Sequence, residues 1–196
     1  QAVADVVATV PAPQYRAAIE ELVDVDELLT YWAIEAVTAH WDGYLYDVTQ
    51  AGRDGNPWAN NYYAYHDPDS GRFVIIPAGA DLAFGIGMPP GALDAQVPVL
   101  LPPKPNASIA VRLWEDPAFR GELAARLAQV LDDAWDEAAL AARADLFAEH
   151  VRADGLTGTR EDTTMDAFEQ ALAERKAWIA QRAPAVRAEL QQAAGG

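Results

Sequence analysis

Cysteine is missing from all 196 residues, which removes disulfides, thiolate zinc sites and cysteine nucleophiles, and leaves the redox compartment open. Positive charge is scarce. Fourteen Lys and Arg stand against thirty Asp and Glu, a formal charge of -16. So acidic a chain repels a phosphate backbone, and no nucleic-acid partner is expected; the surplus reads as a solvated surface. Long apolar runs are absent too. Charges or prolines interrupt every hydrophobic stretch before the roughly 18 residues that a membrane span needs, so no span is expected. The chain opens on Gln1 without a basic leader or a signal-cleavage pattern, which suggests a removed leader or a piece of a longer chain.

What is present is a chain long enough for one domain with a real core, 51% hydrophobic and 22% charged. After an Ala/Val-rich start, residues 15–22 read as a short helix. A second helix follows from a cap at Asp24, with Glu27 at capping-box spacing. Leu28, Leu29, Trp32, Ala33, Ala36 and Val37 form its buried face, and it should run out near His40. Residues 44–60 carry Gly52, Gly55 and Pro57 without periodicity and read as a loop onto which Trp58 should pin itself. Residues 62–65 and 72–76 flank a turn-rich stretch and predict a β-hairpin. On its first strand Tyr63 and Tyr65 share one face and Tyr62 takes the other, with core packing and cross-strand pairing expected for them.

Residues 77–105, rich in Gly and Pro, are expected to run irregularly over the surface. Everything beyond reads as helix. Asp116-Pro117 caps a stripe of Phe119, Leu123, Leu127, Val130 and Leu131. Leu140, Ala144, Phe147 and Val151 make a further stripe, and Phe168, Leu172 and Ile179 another behind a Thr163 cap. His66 and His150 lack partners at ligand spacing and should be solvated or capping. Asp47 with residues 53–56 hints at a calcium loop, but the closing Glu is missing.

Three polar clusters occur in order: His40-Trp41-Asp42 at a helix end, Asn60-Asn61 opening the hairpin, and Asp81 with Phe84-Gly85 beyond it. Phosphoryl transfer needs a carboxylate to orient the acceptor hydroxyl and oxygen ligands to hold a divalent metal against the phosphates. One Asp and one Asn suffice when ATP supplies the other oxygens. Taken singly, an aspartate at a helix end is more commonly a cap or a solvated residue.

Five ordered pieces change that weighting: residues 24–35, Trp41-Asp42-Gly43-Tyr44, Asn61-Tyr62-Tyr63-Ala64-Tyr65, Gly71-Arg72-Phe73 through Ile76-Pro77, and Asp81-Leu82-Ala83-Phe84-Gly85. Together they resemble the core of the CotH kinase family, atypical protein-kinase-like proteins named after a spore-coat component. The later stretches, Val111 to Trp114 and Pro117-Ala118-Phe119-Arg120, are similar to the family as well.

The resemblance implies an α+β, mainly α fold: a kinase-like C-lobe with a β-hairpin and a C-terminal helical bundle. Residues 1–103 would carry the catalytic loop and hairpin, and 104–196 the helical part of the same domain. It also implies an ATP-dependent Ser/Thr protein kinase using Mg or Mn, acting on a secreted, envelope or spore-coat protein, and hence an extracellular or envelope location. Asp42 matches the catalytic aspartate, while Asn61 (Asn60 second) and Asp81 match the metal- and nucleotide-holding positions. Many relatives read Trp-Asp-x-Asp where this chain has Ala78-Gly79-Ala80-Asp81, so Asp81 is expected to serve alone. Nothing before Asp24 resembles a Gly-rich loop or a strand lysine, so this stretch alone is expected to be inactive. The alternatives are a catalytically degenerate surface or adhesion module on the same fold, and a fragment without an independent role.

Overall fold

A computed structural model describes residues 1–87, 93–155 and 163–195. It is mainly helical with one small antiparallel sheet, as the patterning predicts. In chain order the elements are α1 (Ala2–Thr9), α2 (Ala12–Glu20), α3 (Val25–Thr38), β1 (Tyr62–His66), β2 (Phe73–Pro77), α4 (Ser108–Trp114), α5 (Pro117–Asp133), α6 (Glu137–Asp154) and α7 (Met165–Gly195). No described helix is long and apolar enough to cross a membrane.

The capping aspartate starts α3 as its spacing requires: the Asp24 carboxylate accepts the Glu27 N–H at 3.1 Å. All six stripe residues of α3 are buried. Trp32 lies at the centre, its ring 5.6 Å from Trp114 and 5.8 Å from Phe119. The helix stops at Thr38 because Ala39 turns left-handed (φ 53°), its N–H returning to Ala36 and Glu35 carbonyls. That turn throws the chain back across the helix end.

The hairpin pairs Tyr63 with Ile76 and Tyr65 with Val74. Strand β2 is moored to the start of α3, with Phe73 N–H on Leu22 O at 2.7 Å and Asp24 N–H on Phe73 O at 2.8 Å. Only Ile75 of the sheet is fully buried. Here the expectation for the tyrosines fails: β1 is exposed along its whole length, Tyr63 to 67%. A two-stranded sheet has one inner face to offer, and β2 takes the place against α3. Tyr62 stacks instead on Tyr44, ring centres 4.3 Å apart. Trp58 likewise projects into solvent, 63% exposed, and does not pin its loop.

The stretch between hairpin and α4 overturns another expectation. Apart from a short 3-10 turn (Ala80–Leu82) it is irregular, but it does not lie on the surface: Ala83, Leu93, Ala95, Val97, Val99 and Leu101 are buried. Residues 88–92 of this stretch lie outside the described residues. Burial of irregular backbone requires partners for its polar groups, and α7 supplies them. Arg182 donates to Ala95 O at 2.8 Å and Val97 O at 2.6 Å, while the Glu189 carboxylate accepts from Val99 and Leu100 N–H at 2.9 and 3.0 Å. Arg182 also reaches Ala36 O and Val37 O at the end of α3, 2.6 and 2.9 Å away.

In α5, Phe119, Leu123, Leu127 and Leu131 are buried, with Val130 at the margin. The stripe drawn on α6 is corrected. Phe147 is 62% exposed and Ala148 alone is fully buried, because α6 rests on α7 through a narrow side near small residues. Polar pairs complete that contact, Lys176 with Asp145 at 2.6 Å and Arg152 with Glu169 at 2.5 Å. The cap of α7 is Thr164 rather than Thr163, its hydroxyl accepting the Ala167 N–H at 3.2 Å. One core cluster runs from Tyr15 to Val186.

Candidate active site

The turn at Ala39 delivers Asp42 to the rim of the molecule, and the following residues are fixed from inside α3. Glu35 sits on the buried stripe, seven residues after Leu28, and its carboxylate accepts the N–H groups of Tyr44, Leu45 and Tyr46 at 2.6, 2.7 and 3.1 Å. A carboxylate ringed by backbone donors is among the stronger anchors that a loop can have. Gly43 is required by the same contact, since a Cβ there would overlap Glu35 Oε1 and come within 2.8 Å of His40 Nδ1.

Three amides converge on the half-buried Asp42 carboxylate. Asn61 Nδ2 donates to Oδ2 at 2.7 Å and to the Asp42 carbonyl at 3.0 Å, Asn56 Nδ2 donates to Oδ1 at 2.9 Å, and Asn60 Nδ2 lies 3.4 Å from both oxygens. Asp42 and Asn61 are therefore neighbours, with Asn60 the weaker contact. Asn61 is held in left-handed backbone (φ 48°), its carbonyl accepting the Ala78 N–H at 2.9 Å. The hairpin thus clamps residue 61 at its mouth. In the 47–56 loop Asn56 is engaged by Asp42 and Trp58, and Arg53 is paired to Asp94 at 2.6 Å. Asp47 caps the 3-10 turn Val48–Ala51.

Asp81 is solvent-facing in the Ala80–Leu82 turn, and among the described residues its carboxylate makes no hydrogen bond. Its segment is nonetheless firmly seated. Phe84 N–H binds Thr38 O at 2.6 Å, Trp41 Nε1 binds Ile86 O at 2.6 Å, and Arg175 binds Phe84 O at 2.9 Å. The Phe84 ring lies 6.2 Å from both Trp135 and Trp178.

Among the described residues no three His, Cys, Asp or Glu side chains are grouped to hold a metal. The candidate metal donors are the Asn61 amide oxygen and Asp81, an all-oxygen set of the kind that suits Mg or Mn rather than a soft ion, and among the described residues no hydrogen bond joins Asp81 to Asn61 or Asp42. Gly79 borders this set. A Cβ built on it stands 3.0 Å from the Asn61 Cγ and Oδ1, on backbone with φ 58°. Asn61 thus fills the space beside the position where relatives carry an extra carboxylate. Gly79→Ala is expected to lower stability by about 1–2 kcal/mol, from the left-handed backbone and the crowded amide together. A urea titration against Gly52→Ala, left-handed but with open space around it, separates the two contributions.

Lys104 lies between two prolines on no periodic pattern, and its burial could not be foreseen. Its Nζ donates to Gly43 O at 2.9 Å and Trp58 O at 3.0 Å. Burial pushes its ammonium down to about 8, opposed by the nearby charges of Glu35, Asp42 and Asp47. Below that value the buried positive charge is present and weighs against folding; the burden is relieved as pH rises from about 8 toward the unfolded value.

A model of the family described as CotH kinase protein matches residues 1–186. The chain belongs to the CotH kinase family. It is also similar to Invasin CotH2 of Rhizopus delemar, 31% identical over 70 residues, a stretch that makes up 35% of this chain and 10% of that protein. This CotH-family chain thus aligns with only a small part of its fungal relative.

Proposed function

We propose that this CotH-family chain is part of an atypical protein kinase that transfers the γ-phosphoryl group of ATP to Ser or Thr of a secreted, envelope or spore-coat protein. Residues 1–103 supply the loop and hairpin of a kinase-like C-lobe, and 104–196 the helices that support it. The observation that carries the reading is the Asp42 carboxylate, oriented by the Asn61 amide at the mouth of the hairpin.

In this reading Asp42 accepts a hydrogen bond from the acceptor hydroxyl, aligns it and takes up its proton as the new P–O bond forms and the bond from the γ-phosphorus to the departing ADP breaks. Asn61 holds that carboxylate through Nδ2 and leaves its oxygen, with Asp81, to hold a cation. Mg or Mn with ATP, when bound, supplies the phosphoryl group and neutralises the charge on its oxygens. Family membership and the likeness to an invasin favour an extracellular or cell-envelope location.

A second reading, a degenerate surface-binding module, is favoured by Gly79, where the carboxylate of many relatives is missing and the Asn61 side chain crowds the position. The test is manganese-dependent transfer of labelled phosphate, including autophosphorylation, by the gene's full-length product. The kinase reading expects transfer by the wild type, none above background for Asp42→Ala, and strong impairment for Asp81→Asn. A silent wild type that also fails to retain ATP decides for the binding module.

A further inference from the structure

We infer that residues 103–106 form a strap that sets the spacing of the two site-bearing loops, with Lys104 as its positioning residue. The inference rests on the kinase reading for its meaning but not for its geometry. Asp42 belongs to a loop running to Tyr46, and Asn60 and Asn61 to the chain entering β1. The bonds that join these two directly lie at the site itself, Asn60 N–H to Gly43 O at 3.0 Å and the Asn60 and Asn61 amide contacts on Asp42, beside the Tyr44–Tyr62 ring contact.

The strap binds both. On the first loop, Lys104 N–H donates to Leu45 O at 3.0 Å, Pro103 bridges to Tyr46, and Lys104 Nζ takes the second lone pair of Gly43 O. On the other, Nζ donates to Trp58 O and the Asn106 Oδ1 accepts the Ala59 N–H at 2.7 Å. One fully buried ammonium therefore touches the residue after Asp42 and a carbonyl two residues before Asn60. A neutral donor could make these bonds. A lysine in addition sets positive charge among the carboxylates of Glu35, Asp42 and Asp47. Lys104 touches no reacting group in this arrangement; it acts through the loops it joins.

The experiment uses the full-length product and three variants, Lys104→Met, Asn106→Ala and Asn106→Asp, the last retaining an acceptor for the Ala59 N–H. Amide hydrogen exchange is followed in peptides covering 42–46 and 58–61, with α5 and α6 as internal reference, and phosphate transfer is measured against ATP concentration. For Lys104→Met, exchange should rise in both loop peptides and not in α5 or α6. Its kcat should fall about 100-fold, as expected when reacting groups lose registration, with the KM for ATP little changed. Asn106→Ala should move both readouts the same way, by about fivefold in rate, and Asn106→Asp should restore them.

Unchanged loop exchange in Lys104→Met, a rise spread evenly through α5 and α6, or identical behaviour of the two Asn106 variants overturns the inference. If Lys104→Met does not fold, the Asn106 pair decides. If the wild type transfers no phosphate, the kinase reading falls and the exchange data still decide the strap.

Discussion

Replacing Arg182 with methionine is expected to cost about 4 kcal/mol of folding stability, lowering the urea midpoint by about 2 M. The side chain is fully buried and satisfies four carbonyls, Ala36, Val37, Ala95 and Val97. Methionine matches its length but donates nothing. The Ala36 carbonyl keeps the Ala39 N–H, whereas those of Val37, Ala95 and Val97 are orphaned. Each orphan bears a desolvation cost of about 1 kcal/mol or more, because none can turn toward water without dragging buried chain with it. The loss of the guanidinium's own desolvation cost offsets part of this, which keeps the figure below the sum of the four bonds. Arg187→Met, five residues further along α7 and paired to Asp132 on the surface, is the control and should shift the midpoint little. A midpoint for Arg182→Met that coincides with the control would show that the irregular stretch is held by its apolar side chains alone.

Glu35→Gln is expected to cost about 3 kcal/mol and to loosen the Asp42 loop before the rest of the molecule. The carboxylate accepts three backbone N–H groups through two oxygens. A glutamine keeps one oxygen and turns an NH2 group toward donors, so at least one N–H of residues 44–46 is left facing another donor. The buried charge that anchored them is lost as well. Chemical denaturation gives the total. Hydrogen exchange assigns it, and protection of Tyr44, Leu45 and Tyr46 amides should fall below that of α5 under conditions where the chain remains folded. Equal protection across loop and helix would mean that Glu35 contributes to global stability and not to the geometry of Asp42.

The regular elements were legible because their signals are local. Asp24 with Glu27 marks the start of α3, Asp116-Pro117 that of α5, and the turn at 67–71 the hairpin, and each does so through chemistry within a few residues. The pairing of Asp42 with Asn61 came from family resemblance, since 19 residues separate them and nothing in their spacing requires contact.

The buried charges were illegible for a related reason. Glu35 falls seven residues after Leu28, and Arg182 three after Ile179 and four after Trp178, so both lie on apolar stripes. Periodicity marks the faces, but it does not say whether a charged residue that falls on one is buried with it. Lys104, flanked by prolines, offered no periodicity at all. The exposure of β1 and of Phe147 was missed because alternation and stripes identify a face without saying whether anything covers it.

Arg182 lies 145 positions beyond Val37 and 85 beyond Val97. Synthesis proceeds from the other end. While the ribosome is still adding α5 and α6, the end of α3 and the 93–101 stretch have been made, but the carbonyls of Val37, Ala95 and Val97 still lack the donor that Arg182 brings. The rim that carries Asp42 can be drafted in this period and not closed, since the donor that permits its dehydration has yet to be translated. Closing so long a loop is slow, and the apolar residues of the waiting stretch stay open to misassociation until it happens. Helix α7 is therefore the keystone of this part of the fold in time as well as in space.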